Sequence, residues 1–547
     1  MTLMMARLID AVERRPQTAF LGFLAVHGLV WTALPALLYR NLPLDVIEAM
    51  TYGREWQLGY DKLPPLPWWL AEATYRAFGT DASLYALCQI AVIATFVAVW
   101  MTARPLVGAV GALSAILIID GMHYLNFSSV KFNHNVIELP FWALAGFAFY
   151  AALRREKLRY WVLLGVALGL AWWAKYFMVI LAAPLALFLL LDPDARRRMA
   201  GPGPWIAAAV ALAVMAPHLV WLVQNDFLPF HYAEARAVAA RGALDHLINP
   251  AAFLDGQAFF LLPALLIAAP LFWPRGKTVA RSGADAFDRR IVTLLAFGPT
   301  ATLFVVALLS GRGTQSTWGY PLWLFLGLWL VMFAPAALER TRLAHLGALW
   351  AIVFAVFVAA FAADYLVLPN FDHRYRAAFF PGDLLSAAMT QRFEQATGKK
   401  PTYIIGSMWD GGNVAHYSNQ YPQPRVLIDG LPRRAPWIDM TDLRARGAVL
   451  VWTESDQNVL PENLAAIAPG AEIGAPFDLP FYRGGGYAHV GWAILRPQRD
   501  NALAHDLIGK TGSTFPHHAL DLPRRAGMLV CPPNRKTERK NAGLSET

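Results

Sequence analysis

A segment near the N-terminus, between residues 40 and 82, brings acidic and basic side chains together between two apolar runs. A carboxylate held in such a segment could take a proton from an acceptor hydroxyl group, and nearby cations could neutralise an anionic leaving group such as a phosphate. The residues whose types and spacing suit this chemistry are Asp45, Glu48, Arg54, Glu55, Asp61 and Lys62. An ordinary solvated loop also carries mixed charges, so both interpretations remain open at this point.

The composition of the chain indicates which kind of structure holds these charged residues in place. Of its 547 residues, 56% are hydrophobic and 16% are charged, whereas soluble proteins carry about 25% charged residues. Eleven apolar runs approach the roughly 20 residues that cross a bilayer. They lie at 19–39, 83–101, 105–121, 136–153, 160–174, 177–192, 204–224, 256–274, 291–310, 320–337 and 343–364. We therefore predict a mainly α, polytopic membrane helix bundle of about eleven spans.

The distribution of basic residues predicts the orientation of the bundle. If the N-terminus is cytoplasmic, the inner loops hold most of the arginines and lysines, as the positive-inside rule requires. Examples are the clusters at 154–159 and 196–198. We predict a multi-pass protein of the inner membrane, with a cytoplasmic N-terminus and a periplasmic C-terminal domain. The net charge of +9 is explained by these loops, so we predict no nucleic-acid partner.

Two further patterns concern local structure. Trp68, Trp69 and Tyr75 stand beside apolar residues in the first outer loop and predict a helix at the membrane interface. Gly165 and Gly169 form a pair of small residues four positions apart, which is typical of close helix packing.

The chain after residue 365 differs in composition from the membrane part. Helix-like and strand-like patterns alternate there, with strands predicted at 401–405, 425–429 and 448–452, which indicates a small α/β sheet. We predict three regions: a transmembrane domain at 1–365, an outer-face α/β domain at 366–500, and a disordered tail at 501–547 that is polar and basic.

Four sequence segments resemble a known family in order. They are GYDKLPPLPWWL in the first outer loop, GLAWWAKYFMVIL at 169–181, APHLVWLVQNDFLPFHY at 216–232 and GRGTQSTWGYPLW at 311–323. Together they resemble glycosyltransferase family 39 and its relatives of the GT-C fold, which include protein mannosyltransferases, aminoarabinose transferases acting on lipid A, and rhizobial-type galacturonosyl transferases. The resemblance implies a sugar transfer from a polyprenyl-phosphate donor to a lipid, polysaccharide or protein acceptor on the outer face of the membrane.

The resemblance also implies roles for particular residues. It makes Asp45 the catalytic base, and we predict substrate contacts at Asp61, Lys62, Lys131, Asn135, Lys175 and Trp318. The three lysines could contact the carrier phosphate. Lys62 and Asn135 stand where relatives often carry acidic residues, so we predict no metal ligands and no certain cofactor, while participation of a divalent metal stays open.

Two other functions are compatible with a polytopic chain. A transporter or lipid flippase would usually place ionisable groups near the middle of the membrane, but Asp120, Lys175 and Asp364 fall near the ends of predicted spans. A structural or sensory protein would leave the acidic loop unexplained. We therefore favour the enzyme, in contact with a lipid-linked donor, a lipid or glycan acceptor and membrane lipid.

Overall fold

The computed structural model describes residues 3–236, 240–273, 283–335 and 338–498. The chain divides into two compact units, Met1–Phe371 and Asp372–Thr547. The predicted disordered tail, 501–547, lies outside the described residues.

The described residues of the first unit form helices joined by loops and contain no strand. Its α-helices are α1 (Leu3–Arg14), α2 (Pro16–Leu38), α3 (Leu44–Gly53), α4 (Leu66–Phe78), α5 (Ala82–Asp120), α6 (His134–Arg155), α7 (Leu158–Ala174), α8 (Val179–Leu191), α9 (Pro193–Arg196), α10 (Gly203–Gln224), α11 (Leu228–Arg236), α12 (Asp245–Ala268), α13 (Ala286–Ser310), α14 (Leu326–Phe333) and α15 (Arg340–Leu366).

The predicted count of eleven membrane spans is not confirmed. Within the described residues, seven helices are long and apolar enough to cross a membrane, or up to eight if the bent pair Tyr176–Leu191 and Pro193–Ala200 is one span. Two predicted runs merge in α5, which is 39 residues long and is interrupted at Gly108, where φ is 72° and ψ is 173°. The run at 320–337 yields only the eight residues of α14. An apolar run does not by itself reveal where a helix continues or breaks.

Helix α6 lies at the centre of the packing in this unit. Most of its length is buried, and it packs against α5 and α7, while α7 packs against α10. A Cβ atom on Gly165 would lie 2.4 Å from the carbonyl oxygen of Ala207, and one on Gly169 would lie 2.6 Å from the Cβ of Val214. The predicted role of the two glycines in helix packing is thereby confirmed.

A buried polar cluster joins three of the spans. The Nδ1 atom of His27 in α2 lies 2.9 Å from a carboxylate oxygen of Asp120 at the end of α5. The indole Nε1 of Trp350 in α15 donates a hydrogen bond of 2.7 Å to the other oxygen of Asp120. Because a hydrogen bond offsets the cost of burying a polar group, the bond from Trp350 stabilises the packing of α15 on α5, and His27 brings α2 against the same carboxylate.

The second unit contains the predicted α/β sheet. Its helices are α16 (Gly382–Thr397), α17 (Met408–His416), α18 (Met440–Arg446) and α19 (Glu462–Ile467), and its strands are β1 (Tyr403–Gly406), β2 (Arg425–Ile428), β3 (Ala448–Trp452), β4 (Glu472–Ile473), β5 (Phe477–Pro480) and β6 (Tyr487–Leu495). The three strands predicted from sequence are confirmed as β1, β2 and β3.

The sheet is mixed, in the order β2-β1-β3-β6-β4, with β5 paired to β6. Strand β1 is parallel to β2 and β3, whereas β6 is antiparallel to its partners. Because side chains alternate along a strand, Val449 and Val451 of β3 face the core formed with α16 and α17, while Leu450 faces the core formed with α18 and α19.

Candidate active site

Helix α3 carries Asp45 in its first turn. The helix begins after Pro43, and a carboxylate at this end is stabilised by the helix dipole. The side chain of Asp45 is exposed, and no described residue forms a hydrogen bond or ion pair with its carboxylate. It does lie close enough to Glu48 and Lys62 to interact with both electrostatically. Asp45 is therefore an accessible carboxylate beside a fixed charge pair.

The charge pair consists of Glu48, one helical turn after Asp45, and Lys62, in the loop that follows α3. The Nζ atom of Lys62 donates a hydrogen bond of 2.5 Å to Glu48 Oε2, and the exposed fractions of the two side chains are 20% and 10%. Burial raises the pKa of Glu48, and the positive charge of Lys62 offsets only part of that effect. Burial alone would lower the pKa of Lys62, but the interactions with Glu48 and Tyr232 outweigh it and raise that pKa. Lys62 is therefore held as a cation.

A cluster of aromatic side chains holds this loop. The hydroxyl of Tyr52 donates a hydrogen bond of 2.5 Å to Asp61, and the hydroxyl of Tyr60 donates one of 2.8 Å to the carbonyl oxygen of Tyr52. Trp68 stacks on Tyr52 with ring centroids 4.4 Å apart. Asp61 and Trp68 are buried. The predicted helix is present as α4, but Trp68 packs inside the protein and cannot serve as an interfacial anchor.

Two glycines allow the close approach that this arrangement requires. A Cβ atom on Gly53, at the end of α3, would lie 2.4 Å from the carbonyl oxygen of Trp68. One on Gly59 would lie 2.1 Å from the indole ring of Trp221 in α10. The first loop is thus pressed against both α4 and α10.

His218 in α10 holds the same loop through a backbone contact. Its Nδ1 lies 2.6 Å from the carbonyl oxygen of Leu58, and its Nε2 lies 2.9 Å from the hydroxyl of Tyr176. The side chain is fully buried. Sequence analysis missed this residue, although it lies in the segment 216–232 that carries the family resemblance. A histidine within an otherwise apolar span was the available signal.

A second basic centre forms around Lys175. Its Nζ donates hydrogen bonds to Asn135 Oδ1 at 2.5 Å and to Glu138 Oε1 at 3.1 Å, and it lies 4.9 Å from the ring centroid of Phe177. The ring of Trp318 lies 5.9 Å from that of Phe177. Three predicted site residues, Asn135, Lys175 and Trp318, therefore meet here. Glu138 was missed because it stands within an apolar run.

The two centres are neighbours. His134, at the start of α6, is buried, and its Nε2 lies 3.0 Å from the carbonyl oxygen of Pro64, two residues after Lys62. It interacts electrostatically with both Lys62 and Lys175. A short stretch of chain thus connects the Glu48–Lys62 pair with the centre around Lys175.

Lys131 is placed differently from the other two lysines. It lies near His123, whose pKa burial and Lys131 together lower to about 4. Close by, the rings of Tyr124 and Tyr320 pack at a tilt of 37° with centroids 4.5 Å apart, and Tyr320 interacts electrostatically with Asp45. Residues 121–131 and 316–320 therefore form one edge of the site, and Lys131 lies at this edge.

The described residues contain no group of three or more histidine, cysteine, aspartate or glutamate side chains that could hold a metal ion. The prediction that no metal ligands are present stays a prediction.

The apolar helices and the charged loop define an integral membrane protein with a site beside its spans. A comparison of the fold with solved structures defines the class of membrane protein more narrowly. Over 88% of this chain and 99% of the other, the structure is similar to the crystal structure of ArnT from Cupriavidus metallidurans bound to undecaprenyl phosphate, with a TM-score of 0.56 and 13% sequence identity. This likeness shows the GT-C fold.

Sequence comparisons agree with the fold. Residues 62–221 match the family model described as dolichyl-phosphate-mannose-protein mannosyltransferase. The chain is 25% identical to the lipopolysaccharide core galacturonosyltransferase RgtA of Rhizobium johnstonii, over 90% of this chain and 100% of the relative. It is 30% identical to the lipid A galacturonosyltransferase RgtD of the same organism, over 38% of this chain and 44% of the relative.

This chain is a membrane glycosyltransferase of the GT-C fold. The predicted fold class and function are confirmed at this level, and the alternative of a transporter or flippase is set aside.

Proposed function

We propose that the chain transfers a sugar from a polyprenyl-phosphate-linked donor to a lipid or glycan acceptor on the periplasmic face of the inner membrane. The relatives support galacturonic acid as the sugar and lipopolysaccharide as the acceptor, since RgtA and RgtD are named for those substrates. The ArnT structure was determined with undecaprenyl phosphate bound, which supports a lipid-phosphate donor.

The observation that carries the proposal is the exposed carboxylate of Asp45 beside the buried Glu48–Lys62 pair. In the proposed reaction the acceptor hydroxyl oxygen attacks the anomeric carbon of the donor sugar, and Asp45 accepts the hydroxyl proton. The bond from that carbon to the phosphate oxygen breaks, and the lipid phosphate leaves with the bonding electrons. Its developing negative charge is stabilised by a cation already fixed in place.

Lys62 is the cation we assign to the leaving phosphate. Its partner Glu48 holds the ammonium group in a defined position and keeps it charged. A preorganised charge stabilises a leaving group without the cost of reorientation during the reaction. Lys175 is a second phosphate contact, since Asn135 and Glu138 fix it in the neighbouring centre. Trp318 borders that centre through Phe177, and Lys131 lies near His123 at the edge of the site.

The experiment that tests the function uses the purified chain in nanodiscs. It is incubated with a polyprenyl-phosphate galacturonic acid donor and with lipopolysaccharide that lacks galacturonic acid, and the acceptor is analysed by mass spectrometry. We expect an acceptor heavier by one hexuronic acid residue. Envelope lipids from cells with and without the gene should differ by the same residue. An acceptor of unchanged mass with every polyprenyl-phosphate sugar tested would contradict the proposal.

A further inference from the structure

Two arginine side chains converge on one tyrosine where α6 is followed by α7. Arg155 is the last residue of α6, and Arg159 lies in the first turn of α7. The Nη1 atom of Arg155 donates a hydrogen bond of 2.6 Å to the hydroxyl oxygen of Tyr160, and the Nη2 atom of Arg159 donates one of 3.0 Å to the same oxygen. Both arginines are exposed, whereas Tyr160 is buried.

This group lies far from the active site. Helix α6 begins at His134, beside the lysines assigned to the donor phosphate, and ends at Arg155 after 22 residues. At 1.5 Å per residue, its two ends are about 30 Å apart, which is roughly the thickness of the hydrocarbon core of a bilayer. Helix α7 ends beside Lys175 in the active site. The two arginines therefore lie near the opposite surface of the membrane.

The charges of the two arginines are not balanced within the described part of the chain. Glu156, which stands between them in the sequence, is paired with Arg198 at 2.5 Å. No carboxylate of the described residues forms an ion pair with Arg155 or Arg159. Their guanidinium carbons lie 5.2 Å and 4.9 Å from the centroid of the Tyr160 ring, so two like charges are held close together. An anion bound by both guanidinium groups would offset this repulsion.

The hydroxyl group of Tyr160 adds a donor of defined direction. A hydroxyl oxygen has two acceptor lone pairs and one proton to donate, and the two arginines use the lone pairs. Among the described residues, none accepts a hydrogen bond from this hydroxyl. The ring is held from the other side by Phe147 of α6, with centroids 6.2 Å apart. A phosphate can therefore accept hydrogen bonds from the hydroxyl and from both guanidinium groups.

An apolar strip begins beside the arginines. Leu158 and Val162 are one helical turn apart on α7, and their side chains are 48% and 38% exposed. Arg159 stands three residues before Val162, so the two side chains are neighbours on the helix surface. The half-buried Val166 continues the strip by one further turn. A ligand with an anionic head and a hydrocarbon chain can use both the arginines and the strip, whereas a free phosphate can use only the arginines.

We propose that Arg155, Arg159 and Tyr160 bind the phosphate of an anionic phospholipid, with an acyl chain along Leu158 and Val162. The charge of the group selects a lipid of net negative charge, because the ammonium of a zwitterionic lipid would bring a further cation to two unbalanced arginines. The site is separate from the donor site, and the proposal does not depend on the proposed function.

The test is native mass spectrometry of the full chain in detergent, titrated with phosphatidylglycerol or phosphatidylcholine that carry the same acyl chains. Wild-type protein should bind phosphatidylglycerol at least about fivefold more tightly. Arg155→Gln and Arg159→Gln should each weaken this binding about fivefold, the contribution of one basic residue near an anionic membrane. Tyr160→Phe keeps the ring, and loss of its one hydrogen bond should weaken binding by about fivefold. Arg104→Gln, which removes an exposed arginine of α5, should bind as the wild type does.

Three results would overturn the proposal. Equal affinity of the wild-type protein for the two lipids would remove the selection by charge. An equal loss of affinity in Arg104→Gln and Arg159→Gln, with none in Tyr160→Phe, would show a diffuse attraction instead of a site. Displacement of phosphatidylglycerol by millimolar glycerol 3-phosphate would assign the group to a soluble phosphate instead of a lipid.

Discussion

The ammonium group of Lys62 lies 2.5 Å from the carboxylate of Glu48, across a sequence separation of 14 residues. Both side chains are largely buried. The exposed carboxylate of Asp45 lies one turn before Glu48 on the same helix. The short helix α3 thus presents one anion to solvent and uses a second to fix a cation.

Lys62 should be needed for donor binding. Lys62→Gln removes the positive charge but keeps a polar side chain. We expect the affinity for the lipid-phosphate donor to fall at least about tenfold, because the phosphate loses a charged contact in a largely desolvated site. Titration of the donor into the protein in nanodiscs measures this. Lys157→Gln, at an exposed position before α7, is the matched control. Equal donor affinity in both variants would show that Lys62 does not contact the phosphate.

Gly53 should be required for the packing of α3 on α4. In Gly53→Ala the new methyl group would lie 2.4 Å from the carbonyl oxygen of Trp68 and 2.9 Å from the Cβ of Glu72. Overpacking of this kind destabilises by about 1–3 kcal/mol, so we expect a lower midpoint of thermal unfolding in detergent. Gly22→Ala in α2, where a Cβ meets no atom within 4 Å, should not lower it. A midpoint for Gly53→Ala equal to that of the control would mean that α3 and α4 can separate freely.

The stability of the C-terminal unit should depend on pH through Asp410. This buried side chain accepts hydrogen bonds from Ser407 and Thr453, at 3.0 Å and 2.9 Å, and burial raises its pKa to about 6. The folded state therefore binds the proton more tightly than the unfolded state. The stabilisation is complete below about pH 4 and is lost as the pH rises through 6, by roughly 3 kcal/mol at most.

Hydrogen exchange measures this effect directly. Protection of β1 and β3, corrected for the intrinsic pH dependence of exchange, should be lower at pH 7 than at pH 4.5 in the wild type. Asp410→Asn cannot ionise and should show much less change. The same pH dependence in both proteins would assign it to another group.

The orientation of the chain remains a prediction from the loop charges. Asn419 is exposed in the C-terminal unit, so Asn419→Cys should react with a membrane-impermeant maleimide in intact spheroplasts. Lys157→Cys, in a predicted inner loop, should react only after lysis. The reverse result would place the C-terminal unit in the cytoplasm.

Much of the fold follows from local sequence patterns. Strands β1, β2 and β3 could be predicted because each is a short β-rich run bounded by turn residues. The helix packing at Gly165 and Gly169 could be predicted because the two small residues are one helical turn apart. The number of spans could not be predicted from the sequence. Hydropathy does not show that the helix is interrupted at Gly108 or that α14 has only eight residues.

Part of the candidate site could be predicted because its residues lie close together in the sequence. Asp45 and Lys62 lie close in sequence within a charged segment, so composition and spacing drew attention to them. Glu138 and His218 acquire their roles through contacts with residues 37 and 160 positions away. Such pairs depend on how the helices pack, which a single sequence does not reveal.

The central claim is that the carboxylate of Asp45 accepts the proton of the acceptor hydroxyl. Asp45→Asn keeps the size of the side chain but cannot accept that proton, and as an exposed residue it should leave folding unchanged. The decisive measurement is the single-turnover rate of sugar transfer by Asp45→Asn, with Asp61→Asn as the comparison, since the Asp61 carboxylate is buried against Tyr52. We predict a loss of at least about 100-fold for Asp45→Asn, with donor affinity retained, and a smaller loss for Asp61→Asn. A folded Asp45→Asn protein that transfers sugar at nearly the wild-type rate would contradict the account.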